Sequence, residues 1–499
     1  MSSITPNGEP EGGDIAALAK GGRTNFYGFL LRLAARIPFL FIAGRLYGAD
    51  QLGRFAYALV AVELASQLAT LGQKRGLAQQ LSRGAQPDAH IIADGMLLSL
   101  LTGAALAALL MAVPYAMFPA GHFTEIDRLL PLAVIPLTLT EIALAALAYR
   151  YDIGTTVKAR AVVEPWTLSL GSAAAWFVLP HSGISLAYVL SIFAAWLTAM
   201  VPLLKAYGLP YGWHPHPFRI GRLAIGNMPL AAADAVEWGT RRLDIAILGQ
   251  FATPTAVGVY WAAQQVASLP SKLKTSFEPI LGPVITRNLK DGNYGAIAKQ
   301  VCQVGFWITA MQAGVALALG IPGEAVMGLI GPEFVGGTGA LAFLLVAEVL
   351  AATAVVSEAA LIYVARIKNL WVSLFTISLQ GGLTVAFMMA VDRYHMPQLY
   401  YSAGAAIALM IALGSASVIK GLVLKHILQQ PINNWRWALV WAAAPAVVVG
   451  WVATRLPEWA ELSIGVPAIL IVYGWVIWRR GFGPEDRLLF RKSVAPRGV

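Results

Sequence analysis

The sequence predicts an all-α, polytopic membrane protein with about fourteen transmembrane helices, arranged as two six-helix bundles related by pseudo-two-fold symmetry plus a C-terminal helix pair. Three observations predict the helical membrane class: a composition that water cannot cover, apolar runs of membrane-crossing length, and basic residues that alternate from loop to loop. The two bundles and the added pair follow from an internal repeat and a family resemblance taken up below. Apolar residues make up 58% of the chain and charged residues only 12%, where a soluble domain carries about 25% charged. The missing polar surface implies lipid as the partner. A crossing helix needs roughly 20 apolar residues, so fourteen use about 300 of them and leave short connections. None of those connections is long enough to hold a soluble domain.

The runs lie near 25–47, 55–72, 91–113, 129–150, 161–180, 184–204 and 222–249 in the first half. They continue near 256–285, 298–321, 339–364, 370–391, 399–424, 436–454 and 462–478. The breaks carry turn chemistry, as at Tyr47-Gly48-Ala49-Asp50, Pro180-His181-Ser182-Gly183 and Gly331-Pro332. Residues 1–22 hold no apolar core, so the first helix is expected to be an uncleaved anchor.

Loop charge sets the orientation, because lysine and arginine concentrate in short cytoplasmic loops while acids count little. Alternating loops place twenty-five of the 36 basic residues on one side and five on the other, with six inside spans. A helix missed early would scramble that split. Both termini are therefore expected in the cytoplasm. The net charge of +10 follows from this asymmetry and gives no reason to expect nucleic acid as a partner.

Two segments match at a constant offset of 205 residues. Gly53-Arg54-Phe55-Ala56-Tyr57-Ala58 aligns with Gly258-Val259-Tyr260-Trp261-Ala262-Ala263, and Arg36, Leu64 and Leu68 align with Arg241, Leu269 and Leu273. A gapless match across two helices and a turn suggests parallel repeats, a transporter plan that puts the site at the repeat interface. The expected organisation is a tail (1–22), a first bundle (23–205), a loop (206–221), a second bundle (222–430), accessory helices (431–480) and a tail (481–499).

Polar residues inside the spans point to the site, since a charge in hydrocarbon is expensive and normally faces a cavity or a partner. Asn25, Arg32 and Arg36 share one helical face, and so do Glu63, Gln67, Thr70 and Lys74. Asp234, Glu237, Arg241 and Asp244 form a third stripe; Gln264, Ser268, Lys272 and Thr275 form a fourth. The 205-residue offset lays Arg32 and Arg36 on Glu237 and Arg241, and Glu63, Gln67 and Thr70 on Ser268, Lys272 and Thr275. The candidate cavity residues are therefore Arg32, Arg36, Glu63, Gln67, Asp234, Glu237, Arg241 and Lys272. The competing account is internal neutralisation, as in Glu237–Arg241 or Lys274–Glu278 at helical spacing. Asp234, Glu237 and Glu63 can neutralise Arg32 and Arg36 at rest, a role a substrate phosphate can take over. Glu141 and Glu348 read as lone mid-helix carboxylates, either proton carriers or structural hydrogen-bonding groups. His214-Pro215-His216 has no third ligand nearby and reads as a loop, so no metal and no cofactor are expected. No nucleophile-elbow, P-loop or zinc-protease motif is present, and no enzyme is expected.

The segments at 46–72 (LYGADQLGRFAYALVAVELASQLATLG), 244–269 (DIAILGQFATPTAVGVYWAAQQVASL) and 328–337 (GLIGPEFVGG) resemble a known family. It is the polysaccharide-repeat-unit flippases of the multidrug/oligosaccharidyl-lipid/polysaccharide (MOP) exporter superfamily, and the resemblance runs over about residues 20–430. It implies alternating access through a central cationic cavity in the bacterial inner membrane. The implied cargo is an undecaprenyl-pyrophosphate-linked oligosaccharide, carried from the cytoplasmic to the periplasmic leaflet, with Arg32, Arg36, Arg241 and Lys272 meeting the pyrophosphate. Asp234 and Glu237 depart from a purely basic lining, which keeps a coupling cation (H+ or Na+) and a cation-coupled multidrug exporter in view. A peptidoglycan-precursor flippase is a further alternative. Association with polysaccharide polymerase machinery is a further expected partnership. A glycan polymerase or ligase is disfavoured, because the longest connection, 114–128, is too short for a catalytic loop.

Overall fold

The computed structural model describes residues 37–83, 86–119, 121, 123–150, 152–274, 285, 287–483 and 486, with the side chains of a few helical residues left aside. All regular structure among them is helical. The chain groups into two compact units. Among the described residues, one holds those of Leu31–Trp261 with His395–Ser402, and the other those of Ala262–Tyr394 and Ala403–Val499.

The first unit contains α1 (Gly48–Ala69), α2 (Gln73–Arg83), α3 (Asp88–Ala112), α4 (Val134–Tyr149), α5 (Glu164–Trp176) and α6 (Gly183–Tyr207). To these it adds α7 (Pro217–Phe251) and the first turns of α8 (Pro254–Lys274). A π-helical turn, Ala43–Tyr47, precedes α1, and another, Lys158–Val163, precedes α5. The second unit holds the rest of α8, then α9 (Tyr294–Gly320), α10 (Gly323–Ile330), α11 (Thr338–Val364), α12 (Arg366–Arg393) and all of α13 (Leu399–Leu428) beyond Ser402. It ends with α14 (Ala438–Ala453) and α15 (Val466–Val476).

Local chemistry explains the boundaries. Leu71 and Gly72 take positive φ (46° and 69°), which ends α1 and redirects the chain into α2. Glycine is required at 72 for a second reason: a Cβ there would lie 2.5 Å from the backbone nitrogen of Ala231. Asp152 caps the turn that follows α4 by accepting from the Thr155 amide at 3.0 Å, and Asn293 caps α9 by accepting from Ala296 at 3.1 Å. Pro254 opens α8 at a position where a missing N–H costs nothing.

Nine helices among the described residues are long and apolar enough to cross a membrane: Ile37–Arg83, Asp88–Ala112, Asp127–Tyr149, Gly183–Tyr207, Tyr294–Gly320, Pro332–Val364, Arg366–Arg393, Leu399–Leu428 and Glu458–Gly481. The first covers two expected spans, because the turn before α1 stays helical. Four expected spans fall outside the nine. α5 and α14 are short, with 13 and 16 residues. α7 and α8 are long, with 35 and 21 residues, but too polar. These last two are the helices that carry the third and fourth polar stripes.

In each unit the core is built from helix faces. Leu77, Leu81, Ile92, Ile142, Leu147 and Leu203 form one buried cluster, uniting α2, α3, α4 and α6. In the second unit Trp307 and Phe306 on α9 are buried with Leu361, Leu424, Leu439 and Ile469. Large apolar side chains also face outward, among them Leu101, Leu109, Leu170 and Phe177. Exposed hydrocarbon on this scale suits lipid rather than water.

Candidate functional site: an ion-pair network inside the first unit

The first unit holds charged groups in its apolar interior. Glu63 on α1 accepts two hydrogen bonds from Arg242 on α7, from Nε at 2.8 Å and from Nη2 at 3.0 Å. Both side chains are about a quarter exposed (27% and 26%), so the pair is partly desolvated. The fork geometry suits an arginine, whose two parallel N–H groups match a carboxylate.

A second cluster lies between α4 and α5. Arg160, in the π turn, donates to Glu141 at 2.5 Å and to Glu164 at 2.7 Å. The expectation of a lone Glu141 is therefore corrected: its partner comes from a residue that loop counting assigned to the cytoplasmic side. The π turn explains the difference, because the helix begins earlier than the apolar run does. Buried Tyr188 on α6 lies within electrostatic reach of Glu63, Glu164, Arg160 and Arg242 and so sits between the two clusters. Its ring packs edge-on against Phe55, with centroids 5.6 Å apart. Two carboxylates and two guanidinium groups, from α1, α5, α7 and the π turn before α5, thus act on one phenol.

Other expected site residues fall as follows. Asp234, fully buried, is met by Arg75 Nε at 2.8 Å. Gln67 accepts from Lys74 Nζ at 3.3 Å. Arg241 is exposed on α7. Glu237 and Lys272 sit on α7 and α8, with their side chains outside the description, and Arg32 and Arg36 lie outside the described residues altogether. Glu278 does too, so Lys274–Glu278 is not described. Glu348 is half-buried on α11. The resting partner of Glu63 is thus Arg242, which shares no stripe with the residues singled out in the sequence. Adjacent arginines at 241 and 242 offered one signal, since the second had to find its own acid.

The 205-residue offset has a geometric counterpart. A Cβ on Gly53 would lie 1.7 Å from the Pro254 carbonyl oxygen and 2.7 Å from the Gly258 nitrogen. One on Gly258 would lie 2.0 Å from the Ala49 carbonyl oxygen and 2.9 Å from the Gly53 nitrogen. Ala49 and Pro254 are themselves offset equivalents, so the contact of α1 with α8 is reciprocal. Phe39 and Phe55 pack edge-on with centroids 6.3 Å apart. At the equivalent positions, the Tyr260 hydroxyl donates to Asp244 at 2.6 Å. Asp244 also accepts from the Ile245 amide at 2.8 Å, and both residues of the pair are buried.

The loop with His214 and His216 is pinned to α3, since Trp213 Nε1 and Arg219 Nη2 both donate to Asp94 at 2.8 Å. Among the described residues no group of three or more His, Cys, Asp or Glu is placed to hold a metal ion.

The family model described as "Polysaccharide biosynthesis protein" matches residues 42–319, more than half of the chain. The chain belongs to that family. Its polysaccharide-biosynthesis segment spans α1 to α9, so it includes every charged cluster just described. No curated protein sequence matches this family member. Its fold is similar to "Lipid II flippase MurJ, inward closed conformation", with TM-score 0.69, 11% identity, and 91% of this chain and 99% of that one covered. It is also similar to an inward-facing multidrug resistance MATE family transporter of the MOP superfamily, with TM-score 0.64, 14% identity and 81% and 96% covered. A third likeness is to a MOP superfamily transporter from Pyrococcus furiosus, with TM-score 0.52, 14% identity and 83% and 95% covered. At such identities the likeness establishes the fold, which is that of MOP transporters. This polysaccharide biosynthesis protein is a multi-pass membrane protein.

Proposed function

We propose that this protein is a flippase. It carries undecaprenyl-pyrophosphate-linked oligosaccharide, an O-antigen or exopolysaccharide repeat unit, from the cytoplasmic to the periplasmic leaflet of a bacterial inner membrane by alternating access. The observation that carries the reading is the polysaccharide biosynthesis match over residues 42–319. A fold shared along 91% of the chain with a lipid II flippase supports it. In this reading both termini are cytoplasmic, and fourteen helices form two parallel repeats with a helix pair added. A repeat in sequence need not be a unit in space, which is consistent with α7 packing on α1. The reciprocal glycine contact at offset 205 supports the repeat.

The charges divide into two roles. Arg32, Arg36, Arg241 and Lys272 receive the pyrophosphate and acidic sugars, with Gln67 beside them. Charge-assisted hydrogen bonds to phosphate are about twice as strong as neutral ones, and a dry site strengthens them further. The carboxylates Glu63, Asp234 and Glu237, together with the Glu141–Arg160–Glu164 cluster, are the places where a coupling H+ or Na+ would act. Protonating one carboxylate of an ion pair releases its arginine, which is a way to link ion movement to a change of state.

The acid-rich interior favours one second reading, a cation-coupled small-molecule exporter, in keeping with the MATE likeness. The test is complementation of a bacterium that lacks its own repeat-unit flippase. Expression of this protein is expected to restore surface glycan, and Arg241→Ala to lower it at least tenfold at equal membrane abundance. Restored glycan at normal level in the variant removes Arg241 from the site. No glycan from the wild type, together with raised drug tolerance, selects the exporter.

A further inference from the structure

The first unit carries a cavity of about 690 Å³ where α4 and α6 end, away from the ion-pair network. Its lining joins three cations, Arg150, Lys158 and Lys205, to apolar walls that include Leu197, Val201 and Pro202. Asp152 is the one acid of the lining. Both of its oxygens serve Thr155, accepting from the amide at 3.0 Å and from the hydroxyl at 2.6 Å. It is thus occupied as a helix cap rather than as a counter-ion to the lysines.

Arg150 is held in place. Its guanidinium stacks 3.9 Å above the Tyr207 ring, donates to the Ala206 carbonyl and reaches Asp88 at 3.6 Å. An arginine has five N–H donors, so several remain for an anion. Among the described residues, neither Lys158 nor Lys205 has an ion-pair or hydrogen-bond partner. Lys205 lies in the last turn of α6, where a cation complements the helix dipole. That explanation does not extend to Lys158, which lies five residues into its helical stretch and far from a C-terminal end.

The apolar wall continues along the outside of α6. Leu190, Leu197, Val201 and Leu204 are all exposed and share one helical face. This stripe runs along the helix to the cationic cavity at its C-terminal end. Hydrocarbon along a helix with cations at its end complements the acyl chain and phosphate of an anionic phospholipid.

We propose that this cavity is a binding site for an anionic glycerophospholipid, with its phosphate among Arg150, Lys158 and Lys205 and an acyl chain along the exposed stripe of α6. Basic pockets at the ends of membrane helices attract anionic headgroups through each lysine and arginine near the surface. The proposal needs a membrane protein and nothing about its cargo, so it stands or falls apart from the flippase reading.

The test is native mass spectrometry of the full chain in detergent, titrated in turn with phosphatidylglycerol, phosphatidylcholine and sodium pyrophosphate. The wild type is expected to bind one phosphatidylglycerol in preference to phosphatidylcholine, and pyrophosphate is expected not to displace it. The double variant Lys158→Gln/Lys205→Gln is expected to bind roughly thirtyfold more weakly, and Lys158→Arg/Lys205→Arg to retain binding. Lys205→Gln alone, at an exposed position, should give about a fivefold loss and serves where the double variant does not fold. The control Arg366→Gln/Lys368→Gln, in the other unit, should bind as the wild type does. Unchanged affinity in the lysine variants overturns the proposal, as does an equal loss in the control. Equal binding of phosphatidylcholine overturns it by showing an apolar groove only, and displacement by pyrophosphate overturns it by showing a soluble-anion site.

Discussion

Placing alanine at Gly53 tests a close backbone contact in the first unit. The added Cβ would sit 1.7 Å from the Pro254 carbonyl oxygen, while real Cβ contacts do not fall below 3.0 Å. α1 and α8 must therefore separate by about 1.3 Å, the difference of those two distances. The atom that must give way is backbone, so no rotamer change relieves the clash. A gap of 0.5–1 Å already forfeits a quarter to a half of the dispersion energy of each contact across it. Overpacking costs about 1–3 kcal/mol in its own right. A total near 3 kcal/mol corresponds to about a hundredfold in the folding equilibrium. Gly258→Ala should cost a similar amount, because its Cβ meets the Ala49 carbonyl oxygen at 2.0 Å. Gly239→Ala, with nothing within 4 Å of the added atom, should be neutral or stabilise α7 by up to about 1 kcal/mol. Reversible unfolding in mixed micelles measures all three. Wild-type stability in both Gly53→Ala and Gly258→Ala would refute the packing described here, and so would a loss in Gly239→Ala as large as theirs.

Two further predictions follow from the charged groups. Arg242→Met should destabilise the first unit by about 3 kcal/mol, because Glu63 is left partly buried without its fork, and Glu63→Gln/Arg242→Met should cost less than the two single changes summed; additive losses in the same unfolding assay would mean the pair is not coupled. Asp486 near the C-terminus is buried, and burial alone would raise its carboxyl. Hydrogen bonds from Arg436 at 2.7 Å, the Gly483 amide at 2.9 Å and Trp307 Nε1 at 2.8 Å outweigh that and hold it below the ordinary carboxylate range. A lowered folded value stabilises fully above the unfolded value, about 3.9, and is lost as pH falls through the folded one. Acidification below about pH 4 should therefore release Asp486 from Arg436 and Trp307 in the wild type, and hydrogen exchange of α9 around Trp307 should lose its acid dependence in Asp486→Asn.

The contrast between sequence and structure is sharpest at α7. Its apolar run was legible as a span, and its stripe of Asp234, Glu237, Arg241 and Asp244 was legible as an anomaly in lipid. The pairing was not. Asp234 meets Arg75, an arginine that loop counting put outside the membrane, and Glu63 meets Arg242 rather than a member of its stripe. Helical spacing says which residues share a face, but it is silent on which foreign helix lies opposite. Glu141 shows the same limit, since its partner Arg160 comes from a π turn that no apolar pattern announces.

By itself the sequence determined the helical membrane character, the position of most apolar helices and the family. Each of these rests on composition or on spacing along the chain, where hydropathy and period act locally. Only the tertiary structure decided which acids meet which bases, that Gly53 and Gly258 touch, and that Arg150, Lys158 and Lys205 share a cavity. Those contacts join residues far apart in the chain, and their energy exists only after packing has excluded lipid and water from between them.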